Sequence, residues 1–430
     1  MDRRDFLKSG SGTLAAPAIL AQRNPNDRIG VAMIGVGTRG IYLLERVQEC
    51  PNTEIRLICD LYDSNIARAQ KMAFNKQVAI TKEWEKAIAS KDIDAVVIAA
   101  PDFWHAPMAI RAAQMKKHVY VEKGFCRTLQ EAKDIRKAVR ENKVTLQLGH
   151  HQNSDPTYIK AREIFQTGRL GKTVLARTYI DRTSPFPEWQ FYTRYDNQVV
   201  PADATTETVD WERFQENASI KTKFDPERFF RWRCWWEYGT GIAGDLMSHQ
   251  WDGINTILGM GIPEAVQTQG SLYFWKQDRE VPDQWHVLFD YPKKQFACTF
   301  ACTFHTRHHG TNTFIFGRDA TIEVASEHCR LYDAEWKPGY AKQLAEARKK
   351  YEAAGLDPRL ALPDPEYNFK RRDLEVTSHQ RDWIDCIRSG QVPRCGMDRA
   401  FEEGVTIVMS VESYFKERKV KWDPVSEQIV

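Results

Sequence analysis

The chain has 430 residues, of which 42% are hydrophobic and 28% charged, a composition that excludes a disordered or collagen-like protein. The formal net charge is +3 and no dense basic run follows the N-terminus, which argues against a nucleic-acid partner. No apolar stretch approaches the roughly 20 residues of a membrane-spanning helix. We therefore expect no membrane association after the N-terminal leader is removed, and the length predicts two domains.

The first 21 residues, MDRRDFLKSGSGTLAAPAILA, have the features of an export signal. Arg3 and Arg4 precede Phe6 and Leu7, and a short, weakly apolar segment rich in glycine and alanine follows. This pattern resembles a twin-arginine signal, which is removed and takes no part in the fold. We expect residues 1–21 to be such a signal and the mature protein to be periplasmic or otherwise exported by the twin-arginine route. A basic amphipathic N-terminus is the alternative.

The chain contains nine cysteines with no regular spacing and no CxxC pair. This pattern predicts neither a disulfide framework nor a cysteine metal site. Cys298 and Cys302 would share one face of a strand, where core packing is the expected role.

Between residues 28 and 149, short apolar runs alternate with helical stretches. This alternation predicts a parallel sheet with crossover helices, the doubly wound arrangement of a Rossmann domain. The six predicted strands lie in the runs IGVAMIG, EIRLICD, QVAI, DAVVIAAP, HVYVEKG and VTLQLGH.

The first predicted strand runs directly into the sequence GVGTRG, residues 35–40. Gly35 permits a tight turn, Gly37 leaves room for a diphosphate to approach the backbone, and Gly40 lets the following helix pack closely against the strand. Free N–H groups at the start of that helix hold the phosphates. The turn, including Thr38 and Arg39, is therefore predicted to bind a dinucleotide.

The choice of dinucleotide depends on Asp60, which ends the second predicted strand. A carboxylate at this position binds the ribose hydroxyls and repels a 2′-phosphate, so NAD is favoured over NADP. Arg39 and Tyr62 lie nearby and keep NADP as the less favoured alternative.

Two further loops leave predicted strands at the carboxyl edge of the sheet, where ligands bind in such folds. Asp102 and His105 follow the fourth strand, and Glu122 and Lys123 follow the fifth. We predict that Pro101, Asp102, His105 and Glu122 contact the cofactor, although a lone histidine such as His105 is more often structural. Lys123 ends a buried strand, so it can be tuned as an acid or a substrate clamp.

The stretch GDLMSHQWD places Asp245 and His249 four residues apart after a glycine-rich run. In a helix this spacing puts both side chains on one face. The two residues are then candidates for a general base and the group that orients it. An ordinary ion pair on a helix surface is the alternative.

Taken together, these motifs resemble the Gfo/Idh/MocA family of NAD(P)-dependent oxidoreductases. The resemblance covers most of the chain after the leader, and it also includes GRLGK, ATIEV and DWIDCIRSG. It implies an α/β protein in which a Rossmann domain, residues 28–149, is followed by an α/β domain, residues 150–430, with a large open, mainly antiparallel sheet. It also implies that Lys123, Asp245 and His249 are catalytic and that the protein forms a homodimer or homotetramer.

The sequence departs from the family pattern at two positions. Gly124 replaces the proline that follows the family's lysine and commonly carries a cis peptide bond, so we predict a trans bond between Lys123 and Gly124. Asn153 stands in GHHQNSDP where the family often has arginine.

A segment rich in aromatic residues, ending in RFFRWRCWWEYGTG, precedes the Asp245 motif. Aromatic rings stack on sugar faces and planar cations bind hydroxyls, so this segment is a candidate for carbohydrate binding. The alternative is that the rings fill the interface between the domains. The candidate substrate-binding residues are His151, Arg231, Trp232, Trp235, Trp236 and Asp252. No metal site is predicted, although His305, His308 and His309 lie close together in the sequence.

These features predict an NAD-dependent oxidoreductase that acts on a hydroxyl of a sugar, cyclitol or glycoside. Export favours a tightly held NAD that is recycled internally, because fresh cofactor is scarce outside the cytoplasm. One alternative is redox-neutral glycoside hydrolysis, elimination or epimerisation through a 3-keto intermediate. A non-catalytic sugar-binding protein is the other.

Overall fold

A computed structural model describes residues 28–190, 192–193, 198–375 and 378–430. The predicted export signal, residues 1–21, lies outside this part of the chain. None of the helices in the described ranges combines the length and apolar character needed to cross a membrane.

The first sheet has six parallel strands in the order β3-β2-β1-β4-β5-β6. They are β1 (Ile29–Ile34), β2 (Thr53–Cys59), β3 (Ala79–Thr81), β4 (Ala95–Ile98), β5 (His118–Val121) and β6 (Leu146–Leu148). The connecting helices are α1 (Thr38–Gln48), α2 (Asp63–Met72), α3 (Trp84–Ala89), α4 (Asp102–Gln114) and α5 (Leu129–Asn142). All six predicted strands are confirmed. The strand order reverses between β1 and β4, which opens a crevice at their carboxyl ends.

The second sheet has ten strands in the order β14-β13-β12-β11-β7-β10-β9-β8-β15-β16. Strands β7 and β10 pair in parallel and the other neighbours are antiparallel, which confirms the predicted sheet. Its strands are β7 (Thr173–Asp181), β8 (Ala265–Ser271), β9 (Gln284–Tyr291), β10 (Phe296–Thr303), β11 (Thr311–Gly317), β12 (Ala320–Ala325), β13 (His328–Asp333), β14 (Tyr367–Lys370), β15 (Val420–Asp423) and β16 (Gln428–Ile429).

The α-helices after β6 are α6 (Pro156–Gln166), α7 (Trp211–Phe214), α8 (Pro226–Phe230), α9 (Ser248–Leu258), α10 (Tyr340–Ala353), α11 (His379–Ser389) and α12 (Met397–Lys416). A π-helical turn, Ala243–Met247, leads into α9. Short 3-10 turns span His151–Ser154, Trp232–Cys234, Pro292–Lys294, Pro358–Leu360 and Arg371–Asp373. Helices α6, α9 and α12 pack on the inner face of the second sheet.

Alternating burial along β10 explains why one face of the second sheet is core. Cys298 and Cys302 lie on that buried face, as predicted, and all nine cysteines are buried free thiols. The chain then returns to the first domain, because Trp383, Ile384 and Ile387 of α11 join the apolar core on one side of the first sheet.

The described residues between 182 and 240, called the covering segment below, pack across the carboxyl edge of the first sheet. Tyr62 pairs with Val209 in an antiparallel bridge, and the Trp104 indole N–H donates to the Phe214 carbonyl at 2.9 Å. The Thr193 carbonyl accepts a hydrogen bond of 3.0 Å from the Thr38 hydroxyl. The covering segment therefore covers the crevice between β1 and β4.

Candidate functional site

A cleft of about 570 Å³ lies between the carboxyl edge of the first sheet, the covering segment and helix α9. The predicted site residues on its wall are Gly35, Gly37, Thr38, Arg39, Asp60, Pro101, Asp102, Glu122, Lys123, His151, Trp232, Asp245 and His249. Gly40, His105, Arg231, Trp235, Trp236 and Asp252 lie off this wall. One cleft thus contains the glycine turn and all three predicted catalytic residues.

The glycine turn has the geometry that its three glycines predict. Gly35 has φ +84°, and a Cβ added there would lie 2.6 Å from the Ala99 carbonyl oxygen. A Cβ at Gly40 would lie 2.0 Å from the Gly35 carbonyl oxygen, so helix α1 requires glycine to approach the strand. At Gly37 the nearest atom to an added Cβ is 4.0 Å away, which leaves the space in front of the helix open. The turn can therefore receive a diphosphate at the N-terminus of α1.

Asp60 lies at the end of β2 and its carboxylate is tied to the turn. Its Oδ2 accepts the Val36 N–H at 2.7 Å, and its Oδ1 accepts the Tyr62 N–H at 2.9 Å. The carboxylate thus faces the cleft as a fixed negative group that disfavours a 2′-phosphate. Arg39 was one reason to keep NADP as an alternative cofactor. Its guanidinium instead donates to Glu122 at 2.7 Å and to His151 Nε2 at 2.6 Å.

The departure at Gly124 has a structural reason. Gly124 has φ +43°, and a Cβ there would lie 2.7 Å from the Asp102 carboxylate, so proline cannot occupy this position. The Lys123–Gly124 bond is trans, as predicted, since the described residues contain no cis peptide bond. Asp102 is held by the Thr240 backbone N–H at 3.1 Å and its hydroxyl at 2.8 Å.

His105 is buried on the far side of this loop and does not reach the cleft. Its ring nitrogens lie 2.8 Å from the carbonyl oxygens of Gly124 and Ala100, so the imidazole holds backbone. The prediction that His105 contacts the cofactor is therefore corrected: its structural alternative describes the position better.

The Lys123 ammonium and the Asp245 carboxylate form an ion pair on the cleft wall. The ammonium also donates to the Asp245 carbonyl at 3.0 Å. Arg233 Nε donates to Oδ1 of Asp245 at 3.0 Å, and the Trp189 indole N–H donates to Oδ2 at 2.9 Å. Burial alone would raise the pKa of Asp245, but the charges of Lys123 and Arg233 outweigh it and hold that pKa well below its usual range. Asp245 is therefore ionised and fixes Lys123.

His249 lies on the first turn of α9, and the π-helical turn carrying Asp245 ends just before it. Its Nδ1 is 3.4 Å from Oε1 of Gln152. Because an amide oxygen only accepts hydrogen bonds, the ring proton lies on Nδ1, and Nε2 is the atom that can accept a proton. Burial, then the neighbouring His150 and Lys123, hold the pKa of His249 well below its usual range. The imidazole is thus neutral and able to accept a proton. The expectation that Asp245 orients His249 is corrected, since Asp245 orients Lys123 and Gln152 contacts the histidine.

The aromatic segment supplies fewer cleft residues than predicted. Trp232 lines the cleft with the Arg233 guanidinium 4.2 Å above its ring. Trp236 instead stacks on Tyr414 of α12 with 5.7 Å between ring centroids, so it belongs to the second domain's core. Arg228, and no cleft group, lies over the Trp235 ring. Of the three tryptophans predicted to bind substrate, only Trp232 therefore lines the cleft.

Arg231 and Asp252 are also displaced from the predicted substrate site. Arg231 is buried against Glu227. Asp252 lies behind His249, where its carboxylate accepts from Asn153 at 2.7 Å and from Arg399 at 2.9 Å. It therefore supports the wall from outside the cleft. Asn153, the second departure from the family pattern, has this carboxylate as its partner.

Arg233, which the sequence offered with Arg231 as a candidate sugar contact, binds Asp245, whereas the contacts of Gln152 with His249 and of Trp189 with Asp245 were not predicted. Gln152 is the neighbour of His151 in a motif that was recognised, but the 3-10 turn from His151 decides which side chain reaches His249. Trp189 has φ +66°, uncommon for a bulky residue, and this backbone aims its indole at Asp245. No sequence signal marks such a position.

The cleft and fold agree with comparisons to known proteins. Residues 29–150 match a family model described as an oxidoreductase family with an NAD-binding Rossmann fold, and residues 214–323 match the GFO/IDH/MocA C-terminal domain. The two matches together span more than half of the chain.

Among curated relatives, a glycosyl hydrolase family 109 protein of Stenotrophomonas maltophilia is 33% identical over 149 residues, covering 32% of this chain and 33% of its own length. The scyllo-inositol 2-dehydrogenase (NAD(+)) of Bacillus subtilis is 29% identical over 167 residues, covering 38% and 47%. The chain thus aligns with less than half the length of these relatives. A structure of levoglucosan dehydrogenase with NADH superposes with a TM-score of 0.66 at 16% identity, covering 92% of this chain and 99% of that one.

Proposed function

Because the chain belongs to the Gfo/Idh/MocA family of oxidoreductases, we propose that it is an NAD-dependent dehydrogenase that oxidises or reduces a hydroxyl of a sugar, cyclitol or glycoside. The observation that carries the proposal is the single cleft in which Lys123, Asp245 and His249 face the same space as the glycine turn. A scyllo-inositol dehydrogenase among its relatives and a levoglucosan dehydrogenase of the same fold support a polyhydroxylated substrate.

The residues of the cleft fit NAD. The turn around Gly37 leaves open space for the diphosphate, and Asp60 presents a carboxylate where ribose hydroxyls bind. Arg39 is occupied by Glu122 and His151, so it is not placed to favour a 2′-phosphate. When bound, NAD supplies the acceptor or donor of a hydride.

The side chains of the cleft divide the remaining work. His249 has a neutral imidazole whose Nε2 accepts the hydroxyl proton as the alcohol is oxidised, and it returns the proton in the reverse direction. Asp245 engages two N–H groups of Lys123, which leaves a third to donate to the reacting substrate oxygen. Lys123 thereby stabilises the negative charge that develops on that oxygen. Trp232 offers an aromatic face for a sugar ring.

A tightly held cofactor is part of this proposal. The covering segment bonds directly to the nucleotide-binding turn, since Thr193 accepts from Thr38 at 3.0 Å. It also bonds to the loop after β2, since the Tyr62 hydroxyl donates to Asp203 at 2.6 Å. Release of a dinucleotide would require several of these bonds to open. We propose that bound NAD is retained and that a second substrate restores its redox state.

Export and assembly complete the proposal. Residues 1–21 carry the twin-arginine pattern, and retained NAD suits a protein that is exported already folded. We propose that the open face of the second sheet joins subunits into a homodimer or homotetramer. Cell fractionation with an Arg3→Lys, Arg4→Lys variant tests export, and light scattering of the purified protein tests assembly.

The function is tested by purifying the chain and measuring NAD released on denaturation, followed by incubation with free sugars, cyclitols and aryl glycosides. We expect bound NAD, and net reduced cofactor with a keto product for the true substrate. The His249→Asn variant should lose about a hundredfold or more in kcat, because the general base is removed, while bound NAD is unchanged.

Other outcomes identify a different reaction. Release of aglycone with only transient reduced cofactor would show redox-neutral glycoside cleavage; one relative is named a glycosyl hydrolase. If the protein held no NAD and formed no product, both the proposed dehydrogenase activity and the alternative of glycoside cleavage would be contradicted. Sugar binding without turnover would then indicate a binding protein.

A further inference from the structure

A second group of buried polar side chains lies directly behind His249. His150, which follows β6, lies beside the His249 ring with 4.9 Å between centroids and 58° between the ring planes. Its Nδ1 contacts the Oε2 atom of Glu403 on helix α12. Both His150 and Glu403 are no more than 1% exposed, so water does not solvate either group. A buried pair of this kind costs stability unless its protons and charges are matched.

The hydrogen-bond partners of the two side chains indicate which of them holds the proton. Apart from the contact between them, neither oxygen of Glu403 and neither ring nitrogen of His150 has a hydrogen-bond partner among the described residues. An ionised Glu403 would have Nδ1–H of His150 as its one donor and would leave Oε1 with none, which is disfavoured in a protein interior, whereas a protonated carboxyl group supplies the donor itself. Asp252, only a few ångströms away, is the opposite case because Asn153 and Arg399 donate to its two oxygens.

We propose that Glu403 is protonated in the native protein and donates a hydrogen bond to Nδ1 of His150, which keeps His150 uncharged beside the catalytic His249. Burial raises the pKa of Glu403 well above its usual range and lowers the pKa of His150 to about 4, in agreement with this placement. The titratable and charged groups around the pair are Glu122, Lys123 and Cys126 after β5, His151 after β6, His249 and Asp252 on α9, His379 on α11, Cys395 before α12, and Arg399 on α12.

The neutral pair matters because of what His249 must do. A positive charge on His150 would repel the proton that His249 takes from the substrate, whereas a neutral ring does not. Glu403 is therefore a positioning residue that acts through His150. This effect on catalysis rests on the proposed function of His249, while the protonation of Glu403 does not.

The three carboxyl and imidazole groups His150, Asp252 and Glu403 lie within 4.8 Å of one another, a spacing that also fits a metal ion. The charges of this cluster are balanced without a metal ion. Arg399 already balances Asp252, and one proton makes the His150–Glu403 pair neutral. A divalent ion would leave this buried cluster with excess positive charge.

Two substitutions at one position test the proposal. Glu403→Leu removes the donor to Nδ1 of His150, so that ring loses the hydrogen bond that holds it beside His249, and we expect kcat to fall about tenfold, the effect of roughly one lost hydrogen bond. Glu403→Gln should restore kcat, because its amide N–H donates to His150 as the carboxyl group does. Glu402→Gln, the neighbouring substitution on the same helix, is the control. Loss of activity in both Glu403 variants, or in neither, would overturn the proposal.

A readout independent of activity is the melting temperature as a function of pH. A group whose pKa is raised on folding stabilises the protein below its unfolded pKa, and this stabilisation is lost as pH rises through the folded pKa. The wild-type protein should therefore lose melting temperature relative to Glu403→Gln as pH rises above the usual pKa of a glutamate, because burial raises the pKa of Glu403 in the folded state. If the melting temperatures of the two proteins changed equally with pH, Glu403 would not be protonated. This test needs no substrate.

Two measurements on the wild-type protein cover the case in which a variant fails to fold. Infrared spectra with ¹³C-labelled glutamate should show a protonated carboxyl C=O band at pH 7, and a carboxylate band alone would refute it. Elemental analysis should find no stoichiometric metal. If the wild-type protein held a metal ion that Glu403→Gln lost, the cluster would be a metal site and the proposal of a protonated Glu403 would be wrong.

Discussion

The two halves of the cleft are built in different ways. The cofactor half, with Gly35, Gly37, Gly40 and Asp60, comes from one β-α-β unit and is held by backbone conformation and close backbone contacts. The half around Asp245 is assembled from side chains on the loop after β5, the covering segment and the turn before α9. The first half should thus be sensitive to a single added methyl group, and the second to the loss of a single hydrogen-bond donor.

The strongest test of the second half is Lys123→Met. The variant removes the ammonium that faces the substrate oxygen, and loss of one such donor costs on the order of a hundredfold in kcat. Asp245 keeps Arg233 and Trp189 as donors, so folding should persist. Steady-state kinetics with the identified substrate would measure the effect, with the exposed Lys172→Met as control. A change in KM alone would show that Lys123 only binds substrate.

The first half is tested by adding one methyl group at two glycines. In Gly40→Ala the new Cβ meets the Gly35 carbonyl oxygen at 2.0 Å, so helix α1 must shift, at a cost of about 1–3 kcal/mol. In Gly37→Ala the nearest atom is 4.0 Å away and φ is −64°, so stability should be unchanged. That methyl group occupies the space for the diphosphate, however, and NAD affinity should fall.

Denaturant unfolding and NAD titration of the two glycine variants separate these effects. If Gly37→Ala destabilised the fold as much as Gly40→Ala, the close approach of α1 to the turn would not be what requires glycine. If it bound NAD normally, the diphosphate would lie elsewhere.

The same contrast explains how far the sequence could predict the molecule. The six strands and the glycine turn depend on local periodicity and backbone conformation, so both were predictable. Lys123, Asp245 and His249 were found as motifs, but the partner of each was not. In RFFRWRCWWEYG, successive residues in short turns point in different directions, so the sequence cannot show that Trp232 faces the cleft while Trp236 packs on α12.

Contacts between residues that are distant in sequence could not be predicted, for a related reason. Glu403 contacts His150 across more than two hundred residues, and it looks like any other glutamate on an amphipathic helix. Its burial follows from how α12 packs against the junction of the domains, which no local pattern encodes. The same holds for Trp189, whose indole is aimed by one unusual φ angle.

Trp189→Phe is the finest probe of the second half, because it removes one N–H and keeps a ring. The Trp189 ring lies between Phe304, with centroids 5.1 Å apart, and the Arg279 guanidinium at 5.5 Å, so phenylalanine retains the packing. Asp245 keeps two cationic donors, and the loss of the third should cost about 1 kcal/mol, roughly fivefold in kcat. Trp211→Phe, which loses a 2.9 Å bond to the Thr222 carbonyl outside the cleft, is the matched control. Equal losses in the two variants would mean that the indole stabilises the covering segment and does not act through Asp245.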